Sequence, residues 1–332
     1  MTRGRTLQAV VAIVGLGLFV QSLRMLGVAR LLEGVGRVGW GFAAIVLLSG
    51  AREVSRTLAW MRTIEGPERL RFAHAFRARL AGEALSALLP MGILVGEPTK
   101  AAHVGSLLPF ARAFSALAVE FAFYCASLAL LLGAGMIALV MADQIPLSVH
   151  ALSVSAASIV LVAALIVLYV KRVGRSASRA ETAGDQGTPA VNVLERAAVS
   201  LRRLSTLVVG FASRHPEHLW PIAAFEVTFQ VLAVAEVYVT LWLISPQKPT
   251  VASAVVLETV SRAITMAFKV LPMRVGVDEA GASLFAGRLD LGAPTGVTLA
   301  LVRKLRLLVW SAVGVVCLMQ RTPGIPAAAA RS

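Results

Sequence analysis

Residues 114–141 read FSALAVEFAFYCASLALLLGAGMIALVM, a run whose one charged residue is Glu120. A helix needs about 20 mostly apolar residues to cross the hydrocarbon core of a bilayer. Leu7–Ala29, Val38–Trp60, Val149–Val170, Leu219–Ile244 and Gly296–Met319 also meet that length and are mostly apolar. Buried helices of soluble proteins rarely repeat this pattern. The expected fold class is therefore all-α: a polytopic membrane helical bundle with about six full spans. Of the 332 residues, 57% are hydrophobic and 15% charged, with a mean hydropathy of +0.77. An ordinary soluble domain carries about 25% charged residues, so composition agrees with the spans.

The net charge is +14, carried mostly by Arg. In a soluble protein that balance points to nucleic acid. Here the basic residues sit mainly between the apolar runs, where they set orientation and meet anionic headgroups. Segments 61–79 and 171–218 are rich in Arg and read as cytoplasmic, whereas 142–148 and 245–250 carry at most Lys248 and read as external. The expected location is a bacterial inner membrane, multi-pass, with both termini cytoplasmic. Arg3 and Arg5 precede an apolar run too long for a signal peptide, which reads as an uncleaved first span. Cys125 and Cys317 lie inside spans and read as packing residues. The five histidines are scattered, and no metal or cofactor is expected.

Assigning sides leaves two segments unexplained. Residues 80–112 must leave the cytoplasm and return, and residues 251–293 must do the same from the outer face. Each is expected to be a re-entrant or broken helical hairpin, a form tolerated where the backbone is buried or lines a polar cavity. The two hairpins look alike. Leu89-Pro90-Met91 is followed by Glu97, and Leu271-Pro272-Met273 by Glu279, with the same Pro-to-Glu spacing in both. Opposite entry sides make an inverted repeat the expected relationship, as in many transporters. The chain divides accordingly into a first membrane half (1–173), a polar linker (174–192) and a second half (193–332). Within the latter, Val193–Arg214 suits a basic amphipathic helix, either on the membrane surface or packed on the protein.

Charges inside these segments mark candidate substrate-binding residues, because ionisable groups at membrane depth are costly and face a bundle interior or a wet cavity. The first hairpin supplies Glu97 and Lys100 beside Gly92, Gly96 and Pro98. A helix start there favours an anion, although Glu97 could instead cap that helix. The second hairpin supplies Glu258, Arg262 and Lys269, whose spacing places them on one helical face, and then Arg274, Asp278 and Glu279. These form either a binding site or a self-contained ion-pair cluster. The flanking spans add Glu120 and Arg303, with Glu226, Gln230, Glu236, Lys304 and Arg306 nearby. Guanidinium groups suit phosphate. Arg24, Arg52 and Arg56 read as snorkelling or paired near an interface. No nucleophile elbow, phosphate-binding loop or zinc motif is present, so the chain is not expected to be an enzyme.

At the hairpins the chain resembles the lysylphosphatidylglycerol synthase transmembrane region, or flippase-like domain, family. Leu89-Pro90, Gly92, Gly96-Glu97 and Lys100 match its first motif, and Pro272 with Gly276-Val277-Asp278-Glu279 matches its second. Arg303 resembles the family's arginine in the last span, and Glu120 its acidic residue after the first motif. The family's glycine pair is replaced here by Met273-Arg274-Val275, which alters the turn. The resemblance includes a hopanoid-biosynthesis-associated branch and implies a lipid-related role without lysyl-lipid synthesis. The partner it implies is a membrane lipid with an anionic headgroup or lipid phosphate, of anionic or polyisoprenoid type. Three readings follow: a flippase-like transporter that translocates or presents such a lipid, an accessory subunit scaffolding a lipid-biosynthesis enzyme, and a membrane enzyme.

Overall fold

The computed structural model describes Gly36, 38–66, 70–89, 92–141, 206–268, Arg274 and 276–320. The spans Leu7–Ala29 and Val149–Val170, the linker, Arg24, most of Val193–Arg214, both chain ends, Pro90, Lys269 and Pro272 lie outside the described residues.

Among the described residues the chain is helical, with no strand. Its principal helices are α1 (Gly41–Arg62), α2 (Phe72–Leu88), α3 (Ile93–His103), α4 (Phe110–Met141), α5 (Pro216–Ile244), α6 (Val251–Ala267), α7 (Val277–Arg288) and α8 (Ala293–Met319). Among the described residues two stretches, Phe110–Val140 in α4 and Pro216–Ile244 in α5, are long and apolar enough to cross a membrane. Helices α1, of 22 residues, and α8, of 27, have sufficient length at about 1.5 Å per residue. They are less apolar, because α1 carries Arg52, Glu53 and Arg56, and α8 carries Arg303, Lys304 and Arg306.

Helix α1 packs most extensively on α5. The pair is antiparallel: Arg56 meets Glu226, whereas Arg52, a turn earlier, meets Glu236, a few turns later. Helices α4 and α5 run parallel, since Tyr124 packs on Phe229 and Ser127 on Gln230 in advancing register. Helices α2 and α3 form one close helical pair, and α7 packs on α8. Small residues permit these approaches. A Cβ at Gly96 would overlap Ser86 and the Gly82 carbonyl. One at Gly314 would strike the Leu80 carbonyl of α2, and one at Gly296 the Ala282 carbonyl of α7.

Two boundaries differ from the sequence expectation. Helix α2 starts at Phe72, inside the stretch 61–79 that reads as a loop, and Arg79 is fully buried. The basic residues there signalled a cytoplasmic segment, but Arg79 has carboxylate partners on other helices. Helix α3 starts at Ile93, so Glu97 lies within it, not at its start, and Pro98 is inside the helix. Proline lacks one amide and crowds the carbonyl four residues back, here that of Leu94, in the first turn of α3.

Candidate functional site

All eight helices contribute to one cavity of about 330 Å³. Its charged lining is Arg52, Glu53, Arg56, Glu83, Glu97, Glu258, Arg262, Arg274, Asp278, Arg303, Lys304 and Arg306.

One group of these is rich in arginine. Glu258 and Arg262 are one turn apart on α6, with Nε donating to Oε1 at 2.7 Å, the pairing that a four-residue helical spacing favours. The other oxygen of Glu258 is held by Arg303 of α8. On α5, Glu236 Oε2 accepts from Arg52 Nη1 at 2.7 Å and from Arg306 Nη1 at 3.0 Å. Four guanidinium groups therefore share two carboxylates, a surplus of two positive charges. The Phe229 ring lies 4.7 Å from the Arg52 guanidinium and 5.4 Å from that of Arg262, a cation–π placement that holds cations with little water. Arg52 Nε and Arg306 Nε are buried without a hydrogen-bond partner.

A second group is rich in carboxylates. Glu120 of α4 accepts from Arg56 Nε at 2.9 Å and from Arg79 Nη1 at 3.3 Å. Arg79 also pairs with Glu53 at 3.1 Å and Glu83 at 3.6 Å. Lys100, fully buried, joins Glu83 at 2.7 Å to Glu97 at 2.6 Å. Glu226 stands 3.6 Å from Arg56 Nε. Three cations here face five carboxylates.

The third group is the start of α7. Gly276, at φ +87°, gives its amide to Glu279 Oε2 at 2.7 Å, so Glu279 closes the helix start. Glu279 Oε1 holds Lys304 Nζ at 2.6 Å, and Lys304 also reaches the Arg274 carbonyl at 3.3 Å. Arg274 Nε pairs with Asp278 at 3.3 Å. Arg274 takes the left-handed φ of +46° where the resemblance leads one to expect glycine.

The family model for the lysylphosphatidylglycerol synthase TM region matches residues 6–314. The chain belongs to this family. It is a membrane protein of that family, and its described residues add two apolar spanning helices. No curated protein and no solved structure matches it.

The expected site residues of this family member fall as follows. Glu97, Glu258, Arg262, Arg274, Asp278 and Arg303 line the cavity. Lys100, Glu120 and Glu279 stand behind it and hold lining residues through ion pairs. Lys269 lies outside the described residues. Arg52 and Arg56, expected near an interface, are instead buried in the bundle, 6% and 8% exposed. The sequence carried a signal for them: Ser49, Arg52, Glu53 and Arg56 recur at the spacing of one helical face. Arg79, Phe229 and Tyr124 were missed, because aromatic residues in a span and basic residues in a loop are ordinary there. At the surface, His215, Glu217 and His218 bring ligand atoms within 4.8 Å of one another, closer together than their reading as scattered histidines. His215 Nε2 lies 3.3 Å from Glu65 and its Nδ1 3.4 Å from Glu217.

Proposed function

We propose that this protein binds the anionic headgroup of a membrane lipid in its interior cavity and translocates or presents it. The observation that carries this is the sharing of two carboxylates, Glu236 and Glu258, among Arg52, Arg262, Arg303 and Arg306. Uncompensated charge is expensive in a low-dielectric interior. A surplus of guanidinium groups around a cavity is relieved by an anion, and the planar donor pairs of Arg fit phosphate oxygens. The acyl or isoprenoid chains would remain in lipid while the headgroup occupies the 330 Å³ cavity. Family membership supports a lipid-related role. No aspect of this reading requires a bond to be broken, so we read the protein as a carrier and not an enzyme.

An inverted repeat would give this cavity two-sided access. A shift of 182 residues carries 41–62 onto 223–244, 72–88 onto 254–270, 93–103 onto 275–285 and 110–141 onto 292–323, close to the ranges of α5, α6, α7 and α8. The antiparallel packing of α1 on α5 fits opposite orientation of the two halves. We take α2–α3 and α6–α7 as the two re-entrant hairpins, in a bacterial inner membrane with both termini cytoplasmic.

The test is translocation of a fluorescent phosphatidylglycerol in proteoliposomes. Arg262→Ala and Arg303→Ala are expected to lower the rate at least tenfold. Unchanged rates in both variants, with the protein still folded, overturn this site. Stable co-purification of a lipid-biosynthesis enzyme together with no translocation by the isolated protein favours the scaffold reading.

A further inference from the structure

Among the described residues, Glu226 is the one buried carboxylate with both oxygens outside any hydrogen bond. It is completely buried, and neither carboxylate oxygen has a hydrogen-bond partner. Its nearest cation atom, Arg56 Nε, is 3.6 Å away and already donates to Glu120 at 2.9 Å. Glu226 Oε1 and Glu120 Oε1 therefore lie against the same guanidinium nitrogen. Two carboxylates at one cation repel when both are ionised, and a single proton on either removes that repulsion.

The surroundings agree. Helix α5 packs against α1, α4, α6 and α8. Among the described residues the printed ion pair of Glu226 is to Arg56 on α1, and the other charged groups on the packed elements are Arg52 and Glu53 on α1, Glu120 on α4, and Glu258 and Arg262 on α6. Helix α8 adds Arg303, Lys304 and Arg306. Behind Glu120 stand Arg79 and Glu83 of α2 and Glu97 and Lys100 of α3. The α6 and α8 cations are committed to Glu258, Glu236, Asp278 and Glu279. The cluster that includes Glu226 is the one with three cations and five carboxylates. Its partly exposed members are Glu53 and Glu83, at 21% and 36% of the side chain, so water can stabilise their charge. Water cannot do so for Glu120 and Glu226.

We infer that Glu120 and Glu226 form a buried proton-binding pair, linked through Arg56 to the cavity, so that an anionic headgroup and a proton are taken up together. Arg56 lines the cavity and is the cation the two carboxyls share. At rest the pair holds one proton. An anion that draws hydrogen bonds from Arg56 leaves the pair short of positive charge, and a second proton from water binds a carboxylate oxygen. Its release resets the pair when the anion leaves. This coupling rests on the lipid-binding reading above; the proton-binding pair does not.

Infrared difference spectroscopy of the purified full chain, with and without Glu226→Gln and Glu120→Gln, tests the pair. The expected result is a protonated-carboxyl band at neutral pH that is lost in Glu226→Gln. Glutamine mimics the protonated acid, so that variant should keep its unfolding temperature. A spectrum with no such band, or a band unaltered in both variants, overturns the pair, as does collapse of Glu226→Gln under conditions where the parent is stable. Coupling is read as proton uptake in weakly buffered detergent on adding short-chain phosphatidylglycerol. Up to one proton per bound lipid is expected, and none in the double variant Glu120→Gln, Glu226→Gln. Lipid binding without proton uptake overturns the coupling. Failure of the lipid to bind at all counts against the carrier reading, and the infrared result still decides the pair.

Discussion

Glu97 and Glu279, 182 residues apart in the chain, each hold a lysine ammonium at 2.6 Å, Lys100 on the first and Lys304 on the second. Lys100 comes from the same helix as its partner and Lys304 from the neighbouring α8. The same charge arrangement is thus reached by a local contact within α3 and by a long-range contact between α7 and α8.

Breaking a buried pair from one side leaves an isolated charge, at a cost of about 3–5 kcal/mol. Lys100 is fully buried and bridges Glu83 and Glu97. Lys100→Met should therefore lower thermal stability in detergent sharply. The triple variant Lys100→Met, Glu83→Gln, Glu97→Gln should recover most of the loss, measured by the midpoint of unfolding.

Arginine at the shared carboxylates should not be replaceable by lysine. Arg303 shares Glu258 with Arg262, and a lysine ammonium cannot present paired donors to a carboxylate and a phosphate together. Arg303→Lys should weaken binding of a phosphate-headgroup lipid by about 1.5–3 kcal/mol, the usual scale for a charge-assisted hydrogen bond. Calorimetric titration checks it.

The backbone of Arg274 lies at φ +46°, where a β-carbon costs about 1–2 kcal/mol and glycine costs little. Both Arg274→Ala and Arg274→Gly lose the pairing to Asp278. Their difference isolates the backbone: the glycine variant should be the more stable by about 1 kcal/mol.

The α2–α3 crossing depends on the absence of a side chain at Gly96, where a Cβ would overlap the Gly82 carbonyl and Ser86. Gly96→Ala should destabilise by about 1–3 kcal/mol, the range for overpacking. Gly133→Ala on α4, where a Cβ meets nothing within 4 Å, should be neutral or stabilising by up to about 1 kcal/mol. Unfolding midpoints of the two variants compare them directly.

How much of this was legible beforehand follows from the range of each interaction. The ends of α5 and α8 fall within a few residues of the expected segments, because length and apolarity are read along one helix. The Glu258–Arg262 pair was legible because a spacing of four puts two side chains on one face. Arg52 and Arg56 were misplaced because their partners, Glu236 and Glu120, are 184 and 64 residues away, and no period in the sequence records such a distance. Glu97 was placed beside a helix start, whereas α3 begins at Ile93 and runs on through Pro98.

The sequence by itself determined that this chain is a helical membrane protein, that charges interrupt its otherwise apolar segments, and that it resembles the family to which it belongs. Apolar run length and helical periodicity are local quantities, and they need no knowledge of neighbours. Only the tertiary structure decided which charges share a partner. Four guanidinium groups meet on Glu236 and Glu258, while Glu120 and Glu226 are left to share Arg56. That apportioning depends on which helix faces meet, and the close glycine crossings of α2, α3, α7 and α8 help set which faces those are.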